Sequence, residues 1–345
     1  MTAKNCSEDI KQPSQEIALM HMIHGSRITQ LIYVAAKLKI ADLLQDGPKN
    51  SEELARTVDA HPRALFRLLR ALASVGIFCE NEAGCFQLTP LAKHLQTGIP
   101  GSLAAYAIMV GEPWSWRVEG ELLYSVRTGK PAFTHALGMD VHEYLNNDAE
   151  AAKQFNEAMT SFSGHELAPV VTAYDFSQFK TIIDVGGGHG AMLAEILKTY
   201  PGLRGKVFDL RAVDQAARSI LDKQGVTDRC ELINGDFFKS IPGGGDAYIL
   251  KRVLHDWDDE QAVAILKSCH RAMAGSGRLL IIERVIPPGN EPDFGKLVDI
   301  SMLTLSGGLE RSRSEFKAIL DRGGFELADI IPTQCPLSLI EARPV

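Results

Sequence analysis

The residues best suited to do chemistry lie in the second half of this chain. Asp184-Val185-Gly186-Gly187-Gly188-His189-Gly190 places four glycines in five positions. A backbone with so few Cβ atoms turns tightly and admits a ligand at close range. Phe208-Asp209-Leu210 follows, with Asp209 25 residues after Asp184. A carboxylate there can accept from both hydroxyls of a ribose. Gly235-Asp236-Phe237-Phe238 then joins one acid to two aromatic faces, a combination that suits an adenine amine and its ring. The glycine run also fits G-x-G-x-x-A through Ala191, so a nicotinamide dinucleotide satisfies the loop and Asp209 as well as S-adenosylmethionine does. Asp236 and the aromatics favour the second. A tight turn without a ligand is the plain alternative.

His255 stands apart from the other nine histidines by its address in Leu250-Lys251-Arg252-Val253-Leu254-His255-Asp256-Trp257. This segment closes a strand on the same rim as the glycine loop. An imidazole with a pKa near ~6.5 can take a proton from a hydroxyl near ~10 as that oxygen becomes a nucleophile. Such a base needs a partner on its second ring nitrogen to fix the tautomer.

The elements that position these groups follow from periodicity. Strand-like runs are expected at Thr181–Val185, Lys206–Asp209, Glu231–Ile233, Ala247–Leu250, Arg278–Glu283, Phe325–Ile330 and Leu337–Ala342, with helical patterns between most of them. The fold class is α/β, a doubly wound, mostly parallel seven-stranded sheet. The turn Pro332–Pro336 is too short for a parallel crossover, so the final strand runs antiparallel. The first hundred residues differ. Helical patterns at Ile17–Leu44, Ser51–Val58 and Arg63–Val75 precede a hairpin, Ile77–Leu88, around Asn81-Glu82-Ala83-Gly84. Together they outline a winged helix. The domains expected are 1–100, a helical connector 101–170, and 171–345.

The ordered set D-V-G-G-G-x-G, F-D-L, G-D-F-F, L-K-x-x-L-H-D-W and G-G-x-E-R resembles the caffeate- and hydroxyindole-type small-molecule O-methyltransferases, which include bacterial antibiotic and pigment tailoring enzymes. The resemblance spans essentially the whole chain. It implies a Rossmann-like methyltransferase sheet behind an N-terminal α-helical winged-helix dimerisation domain, with S-adenosyl-L-methionine as cofactor and S-adenosyl-L-homocysteine as product. It implies that Asp184, Gly186 and Gly188 meet the methionine part, Asp209 and Leu210 the ribose, and Asp236 and Phe237 the adenine. Lys251 and Trp257 are implied around the same cofactor; a solvated strand-end charge is the alternative for Lys251. Glu283 and Glu310 are implied as acids flanking His255, one of them holding the imidazole. A salt bridge to Arg311 or Arg313 is the alternative for Glu310. Phe155, Met159 and Phe162 share a helix face, ordinarily a core stripe; here, with Met109, Met302 and Leu303, they are implied to line the acceptor chamber. Asp256 adjoins the base and joins that set. Ser306 stands where plant members often carry Asn, so plant specificity does not transfer.

Composition bounds the partners. The chain has 345 residues, 45% hydrophobic and 23% charged, with a formal net charge of −7, which argues against broad nucleic-acid binding. Arg63, Arg67 and Arg70 lie along one winged-helix element, yet residues 1–100 hold eleven basic against ten acidic side chains. A DNA reader needs a more basic face. The wide apolar stripe Ile28, Leu31, Ile32, Val34, Ala35 and Leu38 points instead to a second copy of the chain. No signal peptide or membrane span is read, and six scattered cysteines fit free thiols, Cys79 and Cys85 included. The expected protein is a cytoplasmic homodimer that methylates a hydroxyl of a small aromatic molecule. Neither a metal, a membrane nor a nucleic acid is expected. N-methylation, a dinucleotide dehydrogenase and a DNA-binding regulator are the rival readings.

Overall fold

The computed structural model describes residues 14–210 and 215–345, the side chains at 162–165 excepted. The chain forms two compact units. Of the described residues, 14–116 and 150–161 make the first, and 117–149, 162–210 and 215–345 the second. The stretch 101–170, read above as a connector, is thus divided between them.

In the first unit Asn50 caps the helix Ser51–Thr57 in a capping box with Glu53, and Pro62 opens the helix Pro62–Ser74. Strands Lys49–Asn50, Phe78–Glu80 and Cys85–Leu88 form a small antiparallel sheet with Cys85–Leu88 in the middle. Ile40, Leu54, Leu69, Leu72, Phe78 and Phe86 fill the core behind it. The helices Gly25–Lys37 and Ala104–Gly111 cross closely, since a Cβ on Gly111 would lie 2.2 Å from Tyr33 Cβ. Ile17, Leu19, Met20, Met22 and Ile23 on the helix Gln15–Ile23 remain exposed.

The second unit is built on seven strands: β1 (Thr181–Val185), β2 (Arg204–Asp209), β3 (Cys230–Asn234), β4 (Ala247–Lys251), β5 (Arg278–Glu283), β6 (Phe325–Pro332) and β7 (Ser338–Pro344). Their order is β6-β7-β5-β4-β1-β2-β3. β1 to β5 pair in parallel, and β7 runs antiparallel to both neighbours, as the short Pro332–Pro336 turn requires. β1, β4 and β5 are almost wholly buried, as parallel strands covered on both faces must be. Apolar clusters lie on the two faces, one against the helix Ala191–Thr199 and the other against Asp259–Met273 and Arg313–Gly323. The carboxyl ends of β1 to β5 therefore share one rim, where ligands bind in open α/β sheets.

The helix Arg313–Gly323 begins immediately after that rim. Ser312 caps it in a capping box with Glu315. Ser312→Ala is expected to cost about 1 kcal/mol of stability, measurable as a lower urea midpoint at unchanged slope.

Candidate active site

The glycine loop leaves β1 with Gly186, Gly188 and Gly190 all at positive φ, at 70°, 56° and 77°. A Cβ on Gly186 would come 2.7 Å from Val253 Cγ2, and one on Gly190 2.8 Å from Val207 Cγ2. Backbone conformation and close approach thus both require glycine here. Asp184 lies beneath the loop, where a Cβ on Gly187 would meet its Cγ at 2.6 Å. It is 1% exposed, and neither carboxyl oxygen has a hydrogen-bond partner in the structure. Burial pushes its pKa up to about 7 against the pull of Lys251, and the charge of Asp209 adds to the rise. The Leu193 amide, short of hydrogen-bond geometry, also favours the ionised form.

Asp209 ends β2 and accepts the Gly188 N–H at 3.0 Å, which ties the second strand to the loop. Asp236 accepts the Phe238 N–H at 2.9 Å and lies 3.4 Å from Lys239. Phe237 packs on the loop too, 3.7 Å from where a Gly186 Cβ would stand. Its ring centroid is 4.9 Å from Phe238 and 6.1 Å from Trp257, and Phe238 is 4.8 Å from Trp257. Glycine backbone, three acids and an aromatic cluster therefore converge at the ends of four neighbouring strands, β4, β1, β2 and β3. Leu210 beside them is 67% exposed.

Beyond β4 the chain makes a short 3₁₀ turn, Leu254–Asp256, that carries His255. The backbone N–H groups of Val253, Leu254 and His255 all donate to Glu283 Oε1, at 3.1, 2.7 and 3.2 Å. Glu283 thus holds the turn and not the ring. Glu310 holds the ring, with Oε1 3.0 Å from His255 Nδ1. An ionised Glu310 places the proton on Nδ1 and leaves a lone pair on Nε2. Asp256 Oδ1 lies 3.6 Å from Nε2. Burial lowers the imidazole pKa, but Asp256, Glu310 and Glu283 together outweigh it and raise it above its ordinary value. The Asp256 side chain is 44% exposed, so water screens its share. The buried contact with Glu310 is the stronger constraint.

Gly307-Gly308-Leu309-Glu310-Arg311 closes over this turn. A Cβ on Gly308 would fall 2.0 Å from His255 O. Leu309 N–H donates to that same oxygen at 2.9 Å. Ser306 Oγ accepts the Gly308 N–H at 3.2 Å, which gives the serine a place in the turn itself. Arg311 is fully buried and pairs with Asp259 at 2.9 Å, not with Glu310. Its guanidinium also donates to the carbonyls of Leu254 at 2.9 Å and Trp257 at 3.0 Å. Lys251 is not a solvated charge. Its Nζ lies 3.0 Å from the buried Glu166, which also binds Arg252.

The model of the O-methyltransferase domain matches residues 120–326. The chain belongs to the O-methyltransferase family. The O-methyltransferase dimerisation domain matches residues 20–98. The phenazine O-methyltransferase of Lysobacter antibioticus is 47% identical over 327 residues, 95% of this chain and 96% of that protein. The mitomycin biosynthesis 6-O-methyltransferase of Streptomyces lavendulae is 39% identical, over 93% of each chain. The crystal structure of a calicheamicin-biosynthesis methyltransferase, in its S-adenosylhomocysteine-bound form, superposes with a TM-score of 0.86 at 32% identity, covering 98% of this chain and 100% of that one.

This O-methyltransferase takes its methyl group from S-adenosylmethionine. The residues present fit that cofactor: Asp184 offers two unpartnered buried oxygens beneath a glycine loop whose backbone lies tight against Val253 and Val207. Among the described residues no group of His, Cys, Asp and Glu has the arrangement of a metal site. No helix of the described chain is long and apolar enough to cross a membrane. Cys79 and Cys85 are free thiols.

Of the acceptor residues expected from sequence, Met302 and Leu303 are half-buried on the helix Gly295–Leu305, in the same unit as His255 and Asp256. Met109, Phe155 and Met159 belong to the first unit. The side chain of Phe162 lies outside the described residues. Glu166 was not singled out by sequence and gives no local signal. Phe238 entered there as the second aromatic of G-D-F-F, and Gly308 and Arg311 within G-G-x-E-R, without the packing and ion-pair roles the fold gives them.

Proposed function

We propose that this enzyme methylates a hydroxyl of a small aromatic metabolite with His255 as general base. The observation that supports it is the contact between His255 Nδ1 and the buried Glu310, which leaves Nε2 as the acceptor. When bound, S-adenosylmethionine supplies a methyl group already activated on a cationic sulfur. The protein's part is to bind, orient and remove one proton. Asp209 takes the ribose, Asp236 and Phe237 the adenine with Trp257 behind them, and the loop Gly186–Gly188 with Asp184 and Lys251 the amino acid end. Glu283 fixes the turn, Glu310 fixes the ring, and His255 Nε2 takes the hydroxyl proton as the oxygen gains its methyl bond. The imidazolium so formed faces the Glu310 carboxylate, as in a Ser-His-Asp arrangement. Asp256, Met302 and Leu303 are proposed to meet the acceptor, methionine suiting a flat ring through its adaptable shape.

Incubation with a panel of hydroxylated aromatics and S-adenosylmethionine, read by mass spectrometry, tests this reading. An ether product heavier by one methylene from a phenolic acceptor is expected; modification of amines alone would overturn it. The exposed apolar helix Gln15–Ile23 and the dimerisation-domain match support a homodimer as the working form. The near-neutral first hundred residues speak against nucleic acid as a partner. Free thiols suit a cytoplasmic setting.

The imidazole pKa carries a further expectation. Only the neutral ring accepts a proton, and its pKa is raised, so activity should climb with pH through a limb above ~6.5. Glu310→Gln removes a charge that raises that pKa. The limb should therefore move to lower pH while the plateau rate falls, which a kcat/KM–pH profile on one acceptor measures.

A further inference from the structure

Glu166 is a buried acid that the chemistry above leaves without a task. It sits on the helix Ala149–Ala173 and is 2% exposed. Its Oε2 lies 3.0 Å from Lys251 Nζ and 3.2 Å from Arg252 Nε, and its Oε1 pairs with Arg252 Nη2. One carboxylate thus grips two successive cations at the carboxyl end of β4. Burial would favour the neutral acid, but Arg252 and Lys251 outweigh it and hold the carboxyl below its usual range. Arg252 has a φ of 53°, a left-handed conformation that L side chains avoid. The next three residues carry the N–H groups that Glu283 binds, and the last of them is His255. Fixing the Arg252 guanidinium therefore fixes the strained residue at the root of the turn.

Charge gives the second half of the argument. Lys251 and Arg252 bring two positive charges to the strand end, and Lys251 acts on Asp184 directly beneath the glycine loop. S-adenosylmethionine carries a sulfonium charge that S-adenosylhomocysteine lacks. Without Glu166 the acids left to these cations are Asp184 near Lys251 and Glu310 and Glu283 near Arg252. A cationic ligand entering beside this more positive strand end is repelled, most strongly where water is excluded.

We propose that Glu166 is a positioning residue that sets the charge of the cofactor site: by binding Lys251 and Arg252 together it makes the end of β4 tolerant of a sulfonium and holds the turn that presents His255. The charge effect is independent of the identity of the acceptor and of the role of His255 as base; the effect on kcat through the turn rests on that role.

Calorimetric binding of S-adenosylmethionine and S-adenosylhomocysteine to the full chain separates this from a merely structural role. Glu166→Gln keeps the shape and removes the charge. It should weaken the sulfonium ligand about ten-fold or more relative to the thioether. Glu166→Asp, which keeps the charge on a shorter arm, should retain the parental ratio of the two Kd values while lowering kcat. Arg252→Gly removes one cation and relieves the positive φ, so its ratio should shift in favour of the sulfonium. Equal weakening of both ligands by Glu166→Gln, or an unchanged ratio, overturns the proposal. Should Glu166→Gln fail to fold, Arg252→Gly decides, and a ratio that stays put or moves toward the thioether overturns it.

Discussion

Replacing His255 by Ala should lower kcat/KM for a hydroxyl acceptor by ~10²–10⁴-fold, the usual worth of a positioned general base. Binding of S-adenosylhomocysteine should stay unchanged. The reason is geometric: the imidazole hangs from a turn whose three backbone N–H groups are held by Glu283 and not by the ring. Removing the side chain leaves that anchorage, the glycine loop and Asp209 in place. The activity lost is then attributable to the missing proton acceptor and not to a collapsed site. The limb set by His255 should give way to a rise that continues toward the acceptor's own pKa near ~10, because without a base only the ionised hydroxyl attacks. Equal turnover by mutant and parent on the same phenol would remove the base assignment, whatever the cofactor does.

Gly308→Ala should do nearly as much harm by a different route. The added Cβ would stand 2.0 Å from His255 O and 2.6 Å from the Asp256 carbonyl carbon, and both are backbone atoms. No side-chain rotation relieves such a clash, so one of two segments must move. One carries Glu310 and the other His255, and their 3.0 Å contact depends on both. Overpacking of this kind costs about 1–3 kcal/mol. A drop of several degrees in Tm is expected together with at least a ten-fold loss of kcat. Full activity in Gly308→Ala would show that the Gly308 segment does not determine the placement of Glu310.

The sheet was readable because its strands are short β-branched runs cut off by glycine and acid, and because the Pro332–Pro336 turn allows only an antiparallel return. The glycine loop and the address of His255 were readable for the same reason, since they sit at strand ends. Which glutamate faces the imidazole was not. Glu283 ends a strand and Glu310 lies in the G-G-x-E-R loop, both expected near the rim, and only the fold shows one accepting three backbone N–H groups while the other meets Nδ1. Arg311 illustrates a second limit. Its charge reads as surface, yet it is fully buried as the tie between the Leu254 and Trp257 carbonyls and Asp259. Glu166 is a third case, because its partners are 85 and 86 positions away along the chain. Gly307 and Gly308 look alike in sequence, but only Gly308 lies against the backbone of the His255 turn. Such long-range pairings leave no periodic trace.

The strand order has a consequence for the birth of the enzyme. β7 spans residues 338–344, yet it occupies an interior slot between β6 and β5. Ribosomes make those residues after every strand they pair with. Until they emerge, β5 exposes a long unsatisfied edge along Leu279–Glu283, and β6 has no neighbour in the sheet. Closure of the sheet must therefore wait until β7 has been made. A nascent chain stalled just short of Ser338 should be a client of chaperones, since an open apolar edge invites pairing with other chains.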